Sequence, residues 1–451
     1  MSRVNDNSSK LLSRLAIGAT LSLTGALVLL GCSSASSNPL AALQAAQAKN
    51  AGNFTTTVFL GDSLTAGYQS GSLLDTQQVH GWAPLVAGQA GFNIVLPLIA
   101  APGAPSVLQL ISVGPPPVIV PAKGTTPGRD NFAVQPTNVA VPGAFLNDVL
   151  NAVPLVNPMP GQQQLNQLVL GFPGLGYGQA YSQATFAVKA QPTTIFLWIG
   201  NNDALIADLT GTPAAMTSVA DFTSQYQALM QVLTTQTTAH LVIANIPDVT
   251  AVPYLQPAAN ILAQYSAGTG LPGTALSALL GVTAGDFVTP EGLSEIPLIL
   301  GGKQKGPISD AGVLTAAEVV TAQTQVKAFN QVIAQQAQAS GATLVDINAL
   351  FAQVASSGLT IDGYTGTARF LGGVFALDGI HPANTGYAAV ANKFIDTMNA
   401  SFGTKIADVN LSAVAAADPL WPPNLLKTTG GKAVTMPPNA GHASDWMAAG
   451  R

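Results

Sequence analysis

Charged side chains are scarce in this sequence, 8% of 451 residues against 48% that are apolar. So little charge argues against a disordered chain, which lacks the apolar residues to build a core. The signs are scattered and sum to −5, so there is no basic face to hold a phosphate backbone, which argues against nucleic acid as a partner. Cysteine occurs once, at Cys32, which excludes an intramolecular disulfide and any cysteine-based metal cluster. Fixed-period repeats and a Walker-type phosphate loop are also missing. What abounds is glycine and proline, 45 and 31 residues, pointing to long apolar loops rather than to many solvated helices.

The N-terminus has three parts. Arg3, Lys10 and Arg14 form a basic leader, Leu15 to Leu30 is an apolar run, and Leu29-Leu-Gly-Cys32 closes it ahead of a serine-rich stretch. This is the shape of a secretory signal. The closing residues resemble a bacterial lipoprotein signal, in which the cysteine becomes the lipidated first residue. Residues 1–32 are therefore expected to be a signal with Cys32 as its lipidation site, and residues 33–53 a flexible tether. The rest is expected in the cell envelope, held to a membrane through Cys32. An uncleaved anchor, or an ordinary signal with an incidental cysteine, would leave it outside the cytoplasm too.

Beyond the tether, apolar runs alternate with helical patterns. Thr57 to Leu60, Thr137 to Val141, Thr193 to Ile199, His240 to Ile246 and Ala342 to Ile347 read as five buried strands. Helical spacing marks Gly81 to Ala90, Asp221 to Leu233, Ala316 to Ala339 and Asn384 to about Ala400. Strands and helices in alternation predict an α/β domain of three layers, αβα, around a five-stranded parallel sheet over residues 54–401. Two long apolar insertions interrupt it, at about 91–131 and 250–312, and residues 402–451 lack periodicity and read as an extended tail.

The chemistry gathers at strand ends, where open α/β sheets carry their reactive groups. The first strand stops at Gly61-Asp-Ser63, and taken alone Asp62 or Ser63 could simply cap the next helix. A serine nucleophile needs a base and a group to orient that base. Of the four histidines only His381 follows an acid on a tight turn, in Asp378-Gly-Ile-His-Pro382. There Asp378 can accept from Nδ1 and leave Nε2 outward, although a surface Asp/His pair would read the same way. Gly143 can offer a backbone N–H and Asn202 a side-chain amide to a developing oxyanion, or each can merely start a helix or turn. Polar turns at the ends of separate strands share one rim of a parallel sheet, so the conjunction points to a site.

In these residues the chain resembles the SGNH or GDSL-type serine hydrolases. Gly61-Asp-Ser-Leu64, Asn138-Val-Ala-Val-Pro-Gly143, Gly200-Asn-Asn-Asp203 and Asp378-Gly-Ile-His381 look like that family's four blocks, in its order. The resemblance implies a flavodoxin-like fold, with Ser63 as nucleophile, His381 as base and Asp378 as its orienter. It also implies an oxyanion hole made of the Ser63 and Gly143 N–H groups and the Asn202 amide, with no metal and no cofactor. No Gly-x-Ser-x-Gly elbow occurs, against an α/β-hydrolase fold. The expectation is a carboxylic ester hydrolase, and the apolar insertions favour hydrophobic or lipid esters. A carbohydrate acetyl esterase, an acyltransferase or a non-catalytic surface binding protein are the rivals.

Overall fold

The computed structural model describes residues 52–114, 117–125, 128–171, 180–429 and 436–442. The leader, Cys32 and the tether up to residue 51 lie outside the described residues. Four strands form the central parallel sheet in chain order: β1 (Thr57–Gly61), β2 (Thr194–Trp198), β3 (His240–Ala244) and β4 (Thr343–Val345). Thr57 pairs with Thr194, Thr194 with His240, and Val242 with Thr343, which sets the register.

The strands are apolar without a break because helices cover both faces. Val58, Leu60, Ile195, Leu197, Leu241 and Ile243 point into one core, with Phe222, Tyr226 and Phe329 from the helices Val219–Gln236 and Ala316–Ser340. Phe59, Phe196, Trp198, Val242 and Val345 point into the other, with Trp82, Phe351 and Phe394. That alternation is the period-two geometry of a strand read from both sides. Burying one such side chain contributes about 1.5–3 kcal/mol, and each core pools more than a dozen.

The fifth strand expected at Thr137 to Val141 is not formed, so the sheet has four strands rather than five. The segment runs beside β1 and bonds to it, through Phe59 N–H to the Thr137 carbonyl and Val139 N–H to Phe59, but only Asn138 bridges it as strand does. The reason is local. Asn138 accepts from its own Ala140 N–H and donates to the Thr65 carbonyl, so its side chain competes with an extended ladder.

Both insertions are ordered where described. The first holds a hairpin, Leu108–Ser112 against Val118–Pro121. The second packs the helices Ala258–Thr269, Gly273–Leu280 and Pro290–Leu300 around its own core of Ile261, Leu276, Leu280, Leu293, Ile296 and Ile299. The segment expected to be an extended tail is helical instead, over Leu411–Ala417, Pro422–Thr429 and Pro438–His442.

Three further helices position the site. α1 (Ser63–Ala66) follows β1, α2 (Asn201–Thr210) follows β2, and α3 (Asn384–Phe402) follows the Asp/His turn. Ala383 at the start of α3 cannot cap it. Asp418 does so from the C-terminal segment, accepting from the Thr385 N–H and hydroxyl, both at 2.8 Å.

Candidate active site

Ser63 opens the one-turn helix α1 because Asp62 ends the strand, its carboxylate taking the Leu64 N–H at 3.0 Å. Gly61 just before it needs to be glycine. Its φ is +155°, and a Cβ there would stand 2.4 Å from the Trp198 carbonyl and 2.6 Å from the Thr65 hydroxyl. Gln183, reaching across 122 positions, holds the same residue by both its backbone groups, accepting from the Gly61 N–H at 2.8 Å and donating to its carbonyl at 2.9 Å.

The turn before α3 brings the base. Gly379, at φ +72°, lets the chain double back so that Asp378 accepts from the Ile380 and His381 N–H groups, both at 3.0 Å. Its other oxygen meets His381 Nδ1 at 3.0 Å and takes the Gly71 N–H at 2.7 Å. Burial alone would raise this carboxyl. The neighbouring His381 and the N–H bonds outweigh burial and hold it below the usual carboxylate range. An ionised Asp378 is acceptor-only, so Nδ1 carries the ring proton and Nε2 presents a lone pair. That lone pair lies 2.8 Å from Ser63 Oγ. The ring is walled by Tyr68 at 4.7 Å between centroids, and the Tyr387 hydroxyl donates to the Tyr68 carbonyl at 2.6 Å. Ser63, His381 and Asp378 are all buried, at 3%, 0% and 0% exposure, so bulk water neither competes for these bonds nor screens them.

The other expected site residues lie on the same rim. Gly143 adopts φ +77° after the bridge beside β1, and Asn202 stands in the first turn of α2. The Asn202 amide donates to the Ala144 carbonyl at 2.8 Å, joining the second and third turns; an amide nitrogen carries two hydrogens, so one is left to offer. Asn201 joins the third turn to the first, donating to Asp62 at 2.8 Å. Asp203 fixes α2 from below by accepting from the Leu146 N–H and the Thr217 hydroxyl. Among the described residues no group of three or more His, Cys, Asp or Glu could hold a metal ion.

Gln183, Gly71, Asn201 and Asp418 support the site without having been singled out in sequence. Asn201 lies within the third block and Gly71 carried a local signal, a glycine in a polar turn. All four act on residues distant in the chain, which local pattern does not show.

Asp62 is the second acid of the site, and burial, only partly offset by Asn201 and the Leu64 N–H, pushes its carboxyl from 3.8 up to about 6. A raised acid binds its proton more tightly folded than unfolded. Its stabilising share is therefore whole below pH 3.8 and is lost as pH rises to about 6, a fall of about 3 kcal/mol in all. Asp62→Asn, which keeps the helix cap, is expected to remove this slope. Urea unfolding between pH 4 and 8 checks it: the variant should gain on the parent up to about pH 6 and hold a constant lead above. Parallel curves would show that Asp62 ionises freely.

A parallel αβα sheet whose rim gathers a serine, a histidine and an aspartate in hydrogen-bond sequence has the build of a serine hydrolase. The chain belongs to the GDSL-like lipase/acylhydrolase family, which matches residues 57–394, and is a carboxylic ester hydrolase. No curated protein matches it in sequence. Solved structures with some likeness include an acetylxylan esterase from Geobacillus stearothermophilus, 12% identical over 80% of this chain and 100% of that one, with a TM-score of 0.35. Another is an extracellular lipase from Streptomyces rimosus, 14% identical over 77% of this chain and 99% of that one, with a TM-score of 0.33. Likenesses this distant bear no inference about fold or substrate.

Proposed function

We propose that the protein is an exported serine esterase working through Ser63, His381 and Asp378. Ser63 Oγ attacks the ester carbonyl while His381 Nε2 removes its proton, and Asp378 holds the imidazole in the tautomer this requires. The negative charge that collects on the carbonyl oxygen is met by the N–H groups of Ser63 and Gly143 and by the Asn202 amide. His381 returns the proton to the leaving alkoxide as the ester C–O bond breaks. Water, activated by the same histidine, then releases the acid from the acyl-enzyme.

One observation carries this reading: the unbroken chain from Ser63 Oγ to His381 at 2.8 Å and from His381 to Asp378 at 3.0 Å. Treatment with a fluorophosphonate is expected to add one phosphonyl group per chain, on the peptide containing Ser63, as read by mass spectrometry. Modification elsewhere, or none, would sink the assignment.

The substrate is an ester, and the apolar insertions are the reason to expect a hydrophobic one. The leader ending in Leu-Gly-Cys32 supports export and anchoring to a membrane by acyl chains on that cysteine. Cys32→Ser, expressed in a bacterial host, is expected to move the protein from the membrane to the soluble fraction. Persistence at the membrane would argue for an uncleaved apolar anchor.

A further inference from the structure

A tight turn a little beyond Ser63 is strained and buried. Ser70 and Gly71 have φ of +51° and +72°, and Gln69 and Ser72 on either side exchange both N–H···O bonds at 3.1 Å. Positive φ at both central residues is what a type I′ turn demands, and asparagine, aspartate or glycine normally takes the first place. A serine is strained there, and such strain persists only where the surroundings hold it. The turn joins no pair of strands, since Gln69 and Ser72 form an isolated bridge. What it delivers is the Gly71 N–H, 2.7 Å from Asp378 Oδ2, the same oxygen that meets His381 Nδ1. The Ile380 and His381 N–H groups, on the other oxygen, belong to the turn that Asp378 itself begins, so they do not fix that turn against Ser63. Gly71 does. It lies on the segment that starts with Ser63, where the Tyr68 N–H donates to the Ser63 carbonyl at 3.0 Å.

The first insertion holds this turn from behind. Leu108 N–H donates to the Ser70 carbonyl at 2.9 Å, and Ala104 and Leu73 exchange N–H···O bonds at 3.0 and 3.1 Å. The Ser72 hydroxyl donates to the Pro105 carbonyl. Gly103 packs so closely that a Cβ there would stand 2.0 Å from Ser72 Oγ. We propose that the turn Gln69–Ser72, braced by residues 103–108 of the first insertion, is a positioning element for the triad. Through the Gly71 N–H it holds Asp378, and with it His381, within reach of Ser63; this rests on the serine esterase reading above. The strain at Ser70 is the mark of that task, because the chain keeps a disfavoured conformation at the one place from which Gly71 can reach Asp378. On this account part of the first insertion serves the reaction without touching the substrate.

Three variants of the full protein test it, with kcat and KM on p-nitrophenyl acetate as one readout and thermal unfolding as the fold control. The second readout is the downfield proton resonance of the His381 Nδ1–H···Asp378 bond, identified by its loss in Asp378→Asn. Ser70→Val puts a β-branched side chain at positive φ, so the turn must relax and withdraw the Gly71 N–H. Its kcat is expected to fall about 10–100-fold with KM within about threefold, and the resonance to shift. Gly103→Ala leaves every residue of the turn and the triad in place, and should act through Ser72 in the same direction, by about tenfold in kcat. Ser70→Gly adopts the same φ without strain and should hold kcat within about threefold of the parent, with the resonance unmoved. Parental kcat in Ser70→Val or in Gly103→Ala overturns the proposal. So does a loss of kcat with an unmoved resonance, which a general loosening of the fold would give. A Ser70→Gly variant as impaired as Ser70→Val overturns it too, since the hydroxyl and not the turn would then matter. In each of these cases the esterase reading stands while the parent hydrolyses the ester and a fluorophosphonate labels Ser63. If the parent does neither, that reading has failed and the positioning role falls with it.

Discussion

Replacing Ser63 with alanine is expected to lower kcat for ester hydrolysis by about 10⁴-fold or more and to leave the fold intact. The effect is large because this hydroxyl is the group that His381 Nε2 meets at 2.8 Å, and alanine leaves the base with nothing there to deprotonate. The fold is spared because one oxygen is removed. The short helix that Ser63 opens is held by the Asp62 carboxylate, which takes the Leu64 N–H, and by the Ser63 carbonyl, which takes the Tyr68 N–H, and neither bond uses Oγ. Activity that survives should be the small residue that oxyanion donors and binding supply without a nucleophile. Turnover of p-nitrophenyl acetate and butanoate by both proteins, with melting points within about 2 °C of each other, checks it. Equal turnover would remove Ser63 from the chemistry.

Asp378→Asn is expected to be nearly as severe, about 10⁴-fold in kcat, with a smaller change in KM. Asp378 accepts from four donors: the N–H groups of Gly71, Ile380 and His381, and His381 Nδ1. An asparagine has one acceptor oxygen for all of them. Whichever way the amide turns, its NH₂ faces a donor. If it faces the ring, Nδ1 must give up its proton to accept, and the proton moves to Nε2, where it points at Ser63 and blocks general-base action. If it faces the backbone, Gly379 and its turn lose their anchor and stability falls as well. Steady-state kinetics and unfolding together separate the two outcomes. Retention of more than about a tenth of the parent kcat would show that orientation of His381 comes from elsewhere.

Much of the frame could be read from residue order. Val58 to Leu60, Ile195 to Trp198 and Leu241 to Ala244 are unbroken apolar runs, and only a sheet covered on both faces buries such runs. The Asp/His turn was legible because Asp378, Gly379 and His381 act on one another within three positions. The edge beside β1 was misread because its apolar residues were counted and Asn138, whose side chain takes the Ala140 N–H, was not. The C-terminal helices escaped notice for another reason. Runs of seven, eight and five residues span too few turns to show a helical period. Long-range supports such as Gln183 on Gly61, or Asp418 on Thr385, leave no trace in local pattern, since a glutamine or aspartate on a loop or helix end reads as solvated until its distant partner is known.

The separation between the two ends of the reactive bond also sets a schedule. Ser63 and His381 lie 318 positions apart, so a chain made from its N-terminus carries the serine long before its histidine exists. At ~5–20 residues per second the gap lasts roughly 16–64 s of synthesis. Throughout that interval the emerging polypeptide holds a serine hydroxyl with no base beside it. Hydrolytic power therefore arrives late and all at once, when the last turn before α3 docks against a sheet whose first strand has been waiting since the start.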